Sequence, residues 1–129
     1  MTYFWIAIGS ALGGMARYWS SGLVTTAIGG TFPWGTLCVN ILGSFVIGFF
    51  ATLTTQSGRI NIHPDARHFV MAGLCGGYTT FSAFSLQTFQ LASEGRVLEA
   101  GMNSVLSVIL CLMAVWLGYA CACLLARTI

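Results

Sequence analysis

The residues best suited to chemistry lie in one stretch, Gly76-Gly77-Tyr78-Thr79-Thr80-Phe81-Ser82-Ala83-Phe84-Ser85, in the middle of an otherwise apolar segment, residues 69–91. Two adjacent glycines followed by two threonines are poor helix formers. Backbone N–H and C=O groups freed inside a bilayer have no water to bond, and they persist only where protein covers them or where they line a polar cavity. Two readings fit. One is a membrane helix interrupted at mid-depth, with an ion or polar substrate near the gap. The other is a plain turn or kink with no ligand. Phe81 and Phe84 share a helix face that Ser85 and Thr88 extend, and Gln87 lies one turn past Phe84. Phenylalanines at this spacing usually pack, but these two follow directly on the interruption and stand among hydroxyls. An aromatic ring has a negative face and a positive edge, so an anion can approach the edge.

Asn40 belongs to a second candidate group. With Thr36, Gly43, Ser44 and Gly48 it forms a small, partly polar stripe at helical spacing. A buried asparagine in lipid must find partners. It either joins two helices or offers its amide N–H to a passing anion. Arg17, flanked by Tyr18 and Trp19, either snorkels to the interface or places a cation at the mouth of an anion path. His63, Asp65 and His68 lie in a polar loop, residues 56–68, that reads as solvated rather than metal-binding. The five cysteines contain no C-x-x-C pair and read as small apolar helix residues. Away from the segment ends no aspartate or glutamate occurs, which argues against proton coupling. There is no Ser–His–Asp set, no H-E-x-x-H and no P-loop, so the chain is not expected to be an enzyme.

The elements that must position these groups follow from composition. The chain is 57% hydrophobic and 6% charged, with no lysine, against about 25% charged residues in a soluble domain. That is too little charge to cover a soluble surface, so the expected class is an all-α membrane protein. Scattered arginines form no basic patch, and no nucleic-acid partner is expected. The N-terminus shows no basic signal-peptide region. Four segments long enough to span fit residues 3–24, 34–53, 67–91 (with the break at 76–80) and 97–125. They form a single transmembrane domain over residues 1–129. Small residues at Gly9, Gly13, Ser10 and Gly14, and at Ser104, Ser107, Cys111, Ala114 and Gly118, allow close helix approach. Four spans put both termini on one side, with Arg59, Arg67 and Arg127; Arg96 and Arg17 fall to the other. So weak a bias permits insertion both ways and an antiparallel dimer of oppositely inserted copies.

The spans thus offer hydroxyls, one amide and phenyl edges. A row of weak neutral donors replaces hydration without trapping an ion, and a small, strongly hydrated anion in a narrow path fits best. Three motifs carry a resemblance over essentially the whole chain: Gly13-Gly14-x-x-Arg17, Gly35-Thr36-Leu37-x-Val39-Asn40, and Gly73-Leu74-Cys75-Gly76-Gly77-Tyr78-Thr79-Thr80-Phe81-Ser82-x-Phe84-Ser85. The chain resembles the Fluc (CrcB) family of fluoride channels. The resemblance implies an inverted homodimer of four-helix subunits with two pores in a bacterial inner membrane. It implies passive, selective fluoride export that lowers cytoplasmic fluoride. By position it makes Phe81 and Phe84 pore-lining, Asn40 the pore asparagine and Arg17 the vestibule arginine. Thr80 and Ser82 match the hydroxyls of the motif. Gly76 and Thr79 match residues whose backbone carbonyls hold a structural sodium ion at the dimer axis. Three positions depart from the family pattern: Ala83 replaces a usual threonine, Gln87 a frequent glutamate, and Cys111 a frequent serine. The competing classes are a small dual-topology multidrug-type transporter, against which the missing buried carboxylate counts, and a membrane assembly subunit that conducts nothing.

Overall fold

The computed structural model describes residues 1–55 and 60–128. Arg59, counted above among the charges of the terminal side, lies outside the described residues. The chain is helical throughout: α1 (Thr2–Ile28), α2 (Trp34–Leu53), α3 (Pro64–His68), a π-helical segment (Phe69–Cys75), α4 (Gly76–Tyr78), α5 (Phe81–Ser93) and α6 (Val97–Thr128). Three helical stretches are long and apolar enough to cross a membrane: Trp34–Leu53, Pro64–Ser93 and Val97–Arg127, with mean hydropathies of 1.9, 1.3 and 2.5. The first expected span is long enough as α1, but its glycines, serines, threonines and Arg17 dilute its apolar content, and it is not among the three.

Turn chemistry sets the boundaries. Gly29 and Gly30 take positive φ after α1, a conformation that favours glycine, and Gly29 N–H closes on the Thr25 carbonyl at 2.9 Å. Pro33 then precedes α2. Pro64 opens α3 where its missing N–H costs nothing, and the Asp65 N–H bonds His63 Nδ1 at 3.2 Å. Gly95, also at positive φ, turns α5 into α6. There Arg96 ties Glu94, Glu99 and Thr31 together, the Glu99 contact including an Nε–H bond to Oε1 of 2.8 Å.

Close approach of backbones, not large side chains, builds the interior. α1 lies along the π segment and α4. A Cβ on Gly9 would come 2.5 Å from the Phe69 carbonyl oxygen, and one on Gly77 would come 2.5 Å from that of Ser10. Gly13 meets Leu74 and Tyr78 backbone in the same way. α2 lies along α6 through Gly48 against Val115, and Gly118 against Phe45 and Phe49. Ala114 and Ala122 are buried while Leu112 and Trp116 point outward. This is the pattern of a protein whose solvent is lipid.

The third expected segment differs from its sequence reading in three ways. It begins at Pro64, not near residue 67; it contains a π-helical stretch; and both glycines of the expected break are helical, with Thr79 and Thr80 the extended residues. Gly77 stays in the helix because only a residue without Cβ fits against Ser10.

Candidate functional site

The site is organised by Thr79 and Thr80. Their backbones are extended, at φ −85°, ψ 156° and φ −150°, ψ 115°. Leaving the helix removes the i→i−4 ladder, and each lost bond needs a substitute. Asn40 supplies two. Its Oδ1 accepts the Thr80 N–H at 2.7 Å, and its Nδ2–H donates to the Thr80 carbonyl at 3.0 Å. The Thr80 hydroxyl then caps α5 by accepting the Ala83 N–H at 3.1 Å, and it lies 3.2 Å from Ser82 Oγ. The Thr79 hydroxyl donates back to the Cys75 carbonyl at 2.9 Å. Tyr78 is held at its phenol oxygen, 3.0 Å from Ser20 Oγ on α1.

The interruption separates four carbonyls, those of Gly76, Gly77, Tyr78 and Thr79, from the N–H groups four residues on, and for two of them the donor is tied down elsewhere. In a continuous helix Gly76 C=O accepts from Thr80 N–H, and Thr79 C=O from Ala83 N–H. Both donors are engaged elsewhere, on Asn40 Oδ1 and Thr80 Oγ1.

Two cavities meet at Thr80, which lines both. The first, about 400 Å³, has Asn40, Gly76, Thr79, Phe81 and Phe84 in its wall, with Ser44, Ser107 and Cys111. The second, about 680 Å³, has Arg17, Thr36, Ser82, Ala83 and Gln87. Neither wall contains a carboxylate. The Phe81 and Phe84 rings are 5.3 Å apart, tilted at 49° to each other, and both line the first cavity. Phe84 is half-buried, whereas Phe81 is 78% exposed on the single chain.

Of the residues singled out in the sequence, six therefore share the first cavity: Asn40, Gly76, Thr79, Thr80, Phe81 and Phe84. Ser82 and Arg17 do not; they face the second. The Asn40 amide is occupied at its oxygen and at one N–H, so it joins α2 to the extended pair and keeps a single N–H for anything else. Ser107 reads in the sequence only as part of a packing face, whereas the resemblance also puts Cys111 where a serine is frequent; both line the first cavity, and their spacing of four was the available signal for Ser107. Gly43, part of the stripe that carries Asn40, lines the same cavity. It is bare because the Thr79 methyl occupies the place of its Cβ. Gln87 Oε1 is buried without a hydrogen-bond partner among the described residues.

The family model described as CrcB-like protein, Camphor Resistance (CrcB), matches residues 4–119. A protein of Rhodospirillum rubrum is 60% identical over 125 residues, covering 97% of each chain. One of Methylocella silvestris is 57% identical over 122 residues, covering 95% of this chain and 93% of the relative. A third, of Paramagnetospirillum magneticum, is 54% identical over 127 residues, covering 98% and 99%. Each of these three relatives is named a fluoride-specific ion channel, FluC.

Proposed function

The chain belongs to the CrcB family, and from that premise we propose that it is a fluoride-specific ion channel of the membrane. The observation that carries the reading is the meeting of two cavities at Thr80, lined by hydroxyls, an amide and phenyl rings and by no carboxylate. Fluoride is small and strongly hydrated. Past the Arg17 mouth, a path of neutral, partly positive groups replaces that hydration one contact at a time and binds the ion weakly enough to release it.

In this reading Arg17 forms the vestibule in the second cavity, where its charge raises the local anion concentration. Thr80 and Ser82 pass the ion hydroxyl to hydroxyl, and Phe81, Phe84 and the remaining N–H of Asn40 line the first cavity. Transport is passive, and its consequence is export of fluoride from a bacterial cytoplasm across the inner membrane. α1 is the fourth span, and the extended pair lies near mid-membrane. The exposure of Phe81 and Gly76 on a single chain supports a homodimer of oppositely inserted copies, each covering the other's first cavity.

A structural sodium ion belongs to the same reading. Hard cations take oxygen ligands. Gly76 and Thr79 are two of the four carbonyls that lose their helical donors at the interruption, and Gly76 is exposed on the single chain. The donor set fits the ion. When bound there it supplies a positive charge that holds the interrupted backbones in place, while Asn40 and Thr80 fix their geometry from the protein side.

The test is ion efflux from proteoliposomes. Fluoride efflux is expected, chloride efflux is expected to be negligible, and neither should depend on a proton gradient. Efflux that requires a proton gradient would support the transporter class instead, and fluoride retention equal to that of empty vesicles would leave only a non-conducting subunit.

A further inference from the structure

Asn103 is the most deeply buried polar side chain described, at 2% exposure, and it lines neither cavity of the site. Its Nδ2–H donates to Thr88 Oγ1 at 2.8 Å, and the Thr88 hydroxyl donates in turn to the Phe84 carbonyl, also at 2.8 Å. Among the described residues this is the side-chain hydrogen bond that links α5 to α6. A hydroxyl has one proton, so with that proton on Phe84 the threonine meets the asparagine as an acceptor. The direction of the relay is therefore fixed: amide to hydroxyl to carbonyl.

The relay has a counterpart. Asn40 holds α5 at Thr80, its first cap, from α2. Asn103 holds the same helix at Thr88 from α6. Eight residues of helix separate the two ties, a rise of about 12 Å. Phe81 and Phe84 lie between them. One turn along α6 from Asn103, Ser107 enters the wall of the first cavity beside Phe84. Sliding or rotation of α5 on α6 would change the gap between the Phe84 ring and that wall, and the small residues at this contact offer little shape to resist it. A buried amide bonded to a half-buried hydroxyl does resist it, because either partner loses its bond in any other register.

We infer that Asn103 is a positioning residue for fluoride passage: through Thr88 it fixes α5, and with it the Phe84 ring, against the cavity wall that α6 supplies. This rests on the fluoride-channel reading above.

The experiment compares wild type with Asn103→Leu, Thr88→Val and Thr88→Ser in liposomes containing at most one or a few channels each. Fluoride release then separates the fraction of active vesicles from the rate within an active vesicle. Asn103→Leu and Thr88→Val are expected to lower the rate per active vesicle by up to about tenfold, the cost of one hydrogen bond. Thr88→Ser, which keeps the hydroxyl, is expected to restore it. The double variant Asn103→Leu/Thr88→Val should be no slower than either single one, since both remove the same link. If Asn103→Leu yields no folded protein, Thr88→Val carries the same test. Wild-type rates in Thr88→Val, or a fall confined to the fraction of active vesicles, would overturn the inference and leave the channel reading intact. A wild type that releases no fluoride would overturn both.

Discussion

The two halves of the third membrane stretch meet their neighbours in opposite ways. Before Thr79, the π segment and α4 lie on α1 backbone to backbone, with Gly9, Gly13, Gly73 and Gly77 bare on both sides of the contact. After it, α5 is held by side-chain hydrogen bonds from Asn40 and Asn103 and borders two cavities. The first half is held by backbone contact and shape; the second is held by hydrogen bonds. In a bilayer there is little hydrophobic gain in pressing one helix on another, so close packing does the holding where nothing must pass. Where an ion must pass, close packing would close the path, and a few polar ties replace it. The contrast teaches that rigidity and permeability are divided along one helix, with Thr79 and Thr80 as the boundary.

Gly77→Val should break the first half most severely. Its side chain would be driven into Ser10 backbone, which has no flexible end to move aside. We expect loss of the monodisperse species on size exclusion in detergent, whereas Gly14→Ala, which meets nothing within 4 Å, should elute as wild type. A folded Gly77→Val protein would show that the backbone contact is not needed.

Asn40→Leu addresses the second half and should have the next largest effect. It leaves the Thr80 N–H buried without a partner, at about 1–3 kcal/mol, and takes from the Thr80 carbonyl the bond it accepts in addition to its helical one. The first half should still hold the protein together, so the expected outcome is an assembled protein whose fluoride efflux falls by more than about tenfold. Equal loss of assembly in Asn40→Leu and Gly77→Val would erase the distinction between the halves.

Arg17→Gln should do least. Arg17 borders the second cavity and acts through its field. A few-fold drop in efflux at low ionic strength, shrinking towards wild type as salt rises past about 0.1 M, is the signature of a steering charge. A salt-independent loss would instead make it part of the packing.

Much of this division was open to a sequence reader, for local reasons. α2 spans Trp34–Leu53, between Pro33 and a polar run, because an apolar stretch of membrane length defines its own ends. The weakness of residues 76–80 followed from Gly and Thr propensities. What stayed hidden depended on partners distant in sequence. The glycines at 76 and 77 look like the break, but both are helical, Gly77 pressed against Ser10 of α1, and Asn40, 40 positions from Thr80, stabilises the extended pair instead. The polar start at Pro64 resembled a loop because Asp65 and Arg67 are charged, although Asp65 is tied to Thr2 at 2.7 Å. The π segment has no residue signature, since it differs from an α-helix only in which carbonyl each N–H meets. Ser82 parted from Phe81 and Phe84 because α5 turns its faces to two cavities, and Arg17, on α1, borders the second of them.

The central claim is that fluoride passes the first cavity along the edges of Phe81 and Phe84. Its most direct test is the fluoride efflux rate of Phe81→Ile and Phe84→Ile in vesicles, with the oligomer verified by size exclusion. Ring edges are worth about 0.5–1.5 kcal/mol in an aromatic contact, and the account predicts a fall of about tenfold or more in each variant with the assembly unchanged. Wild-type efflux in both would contradict it.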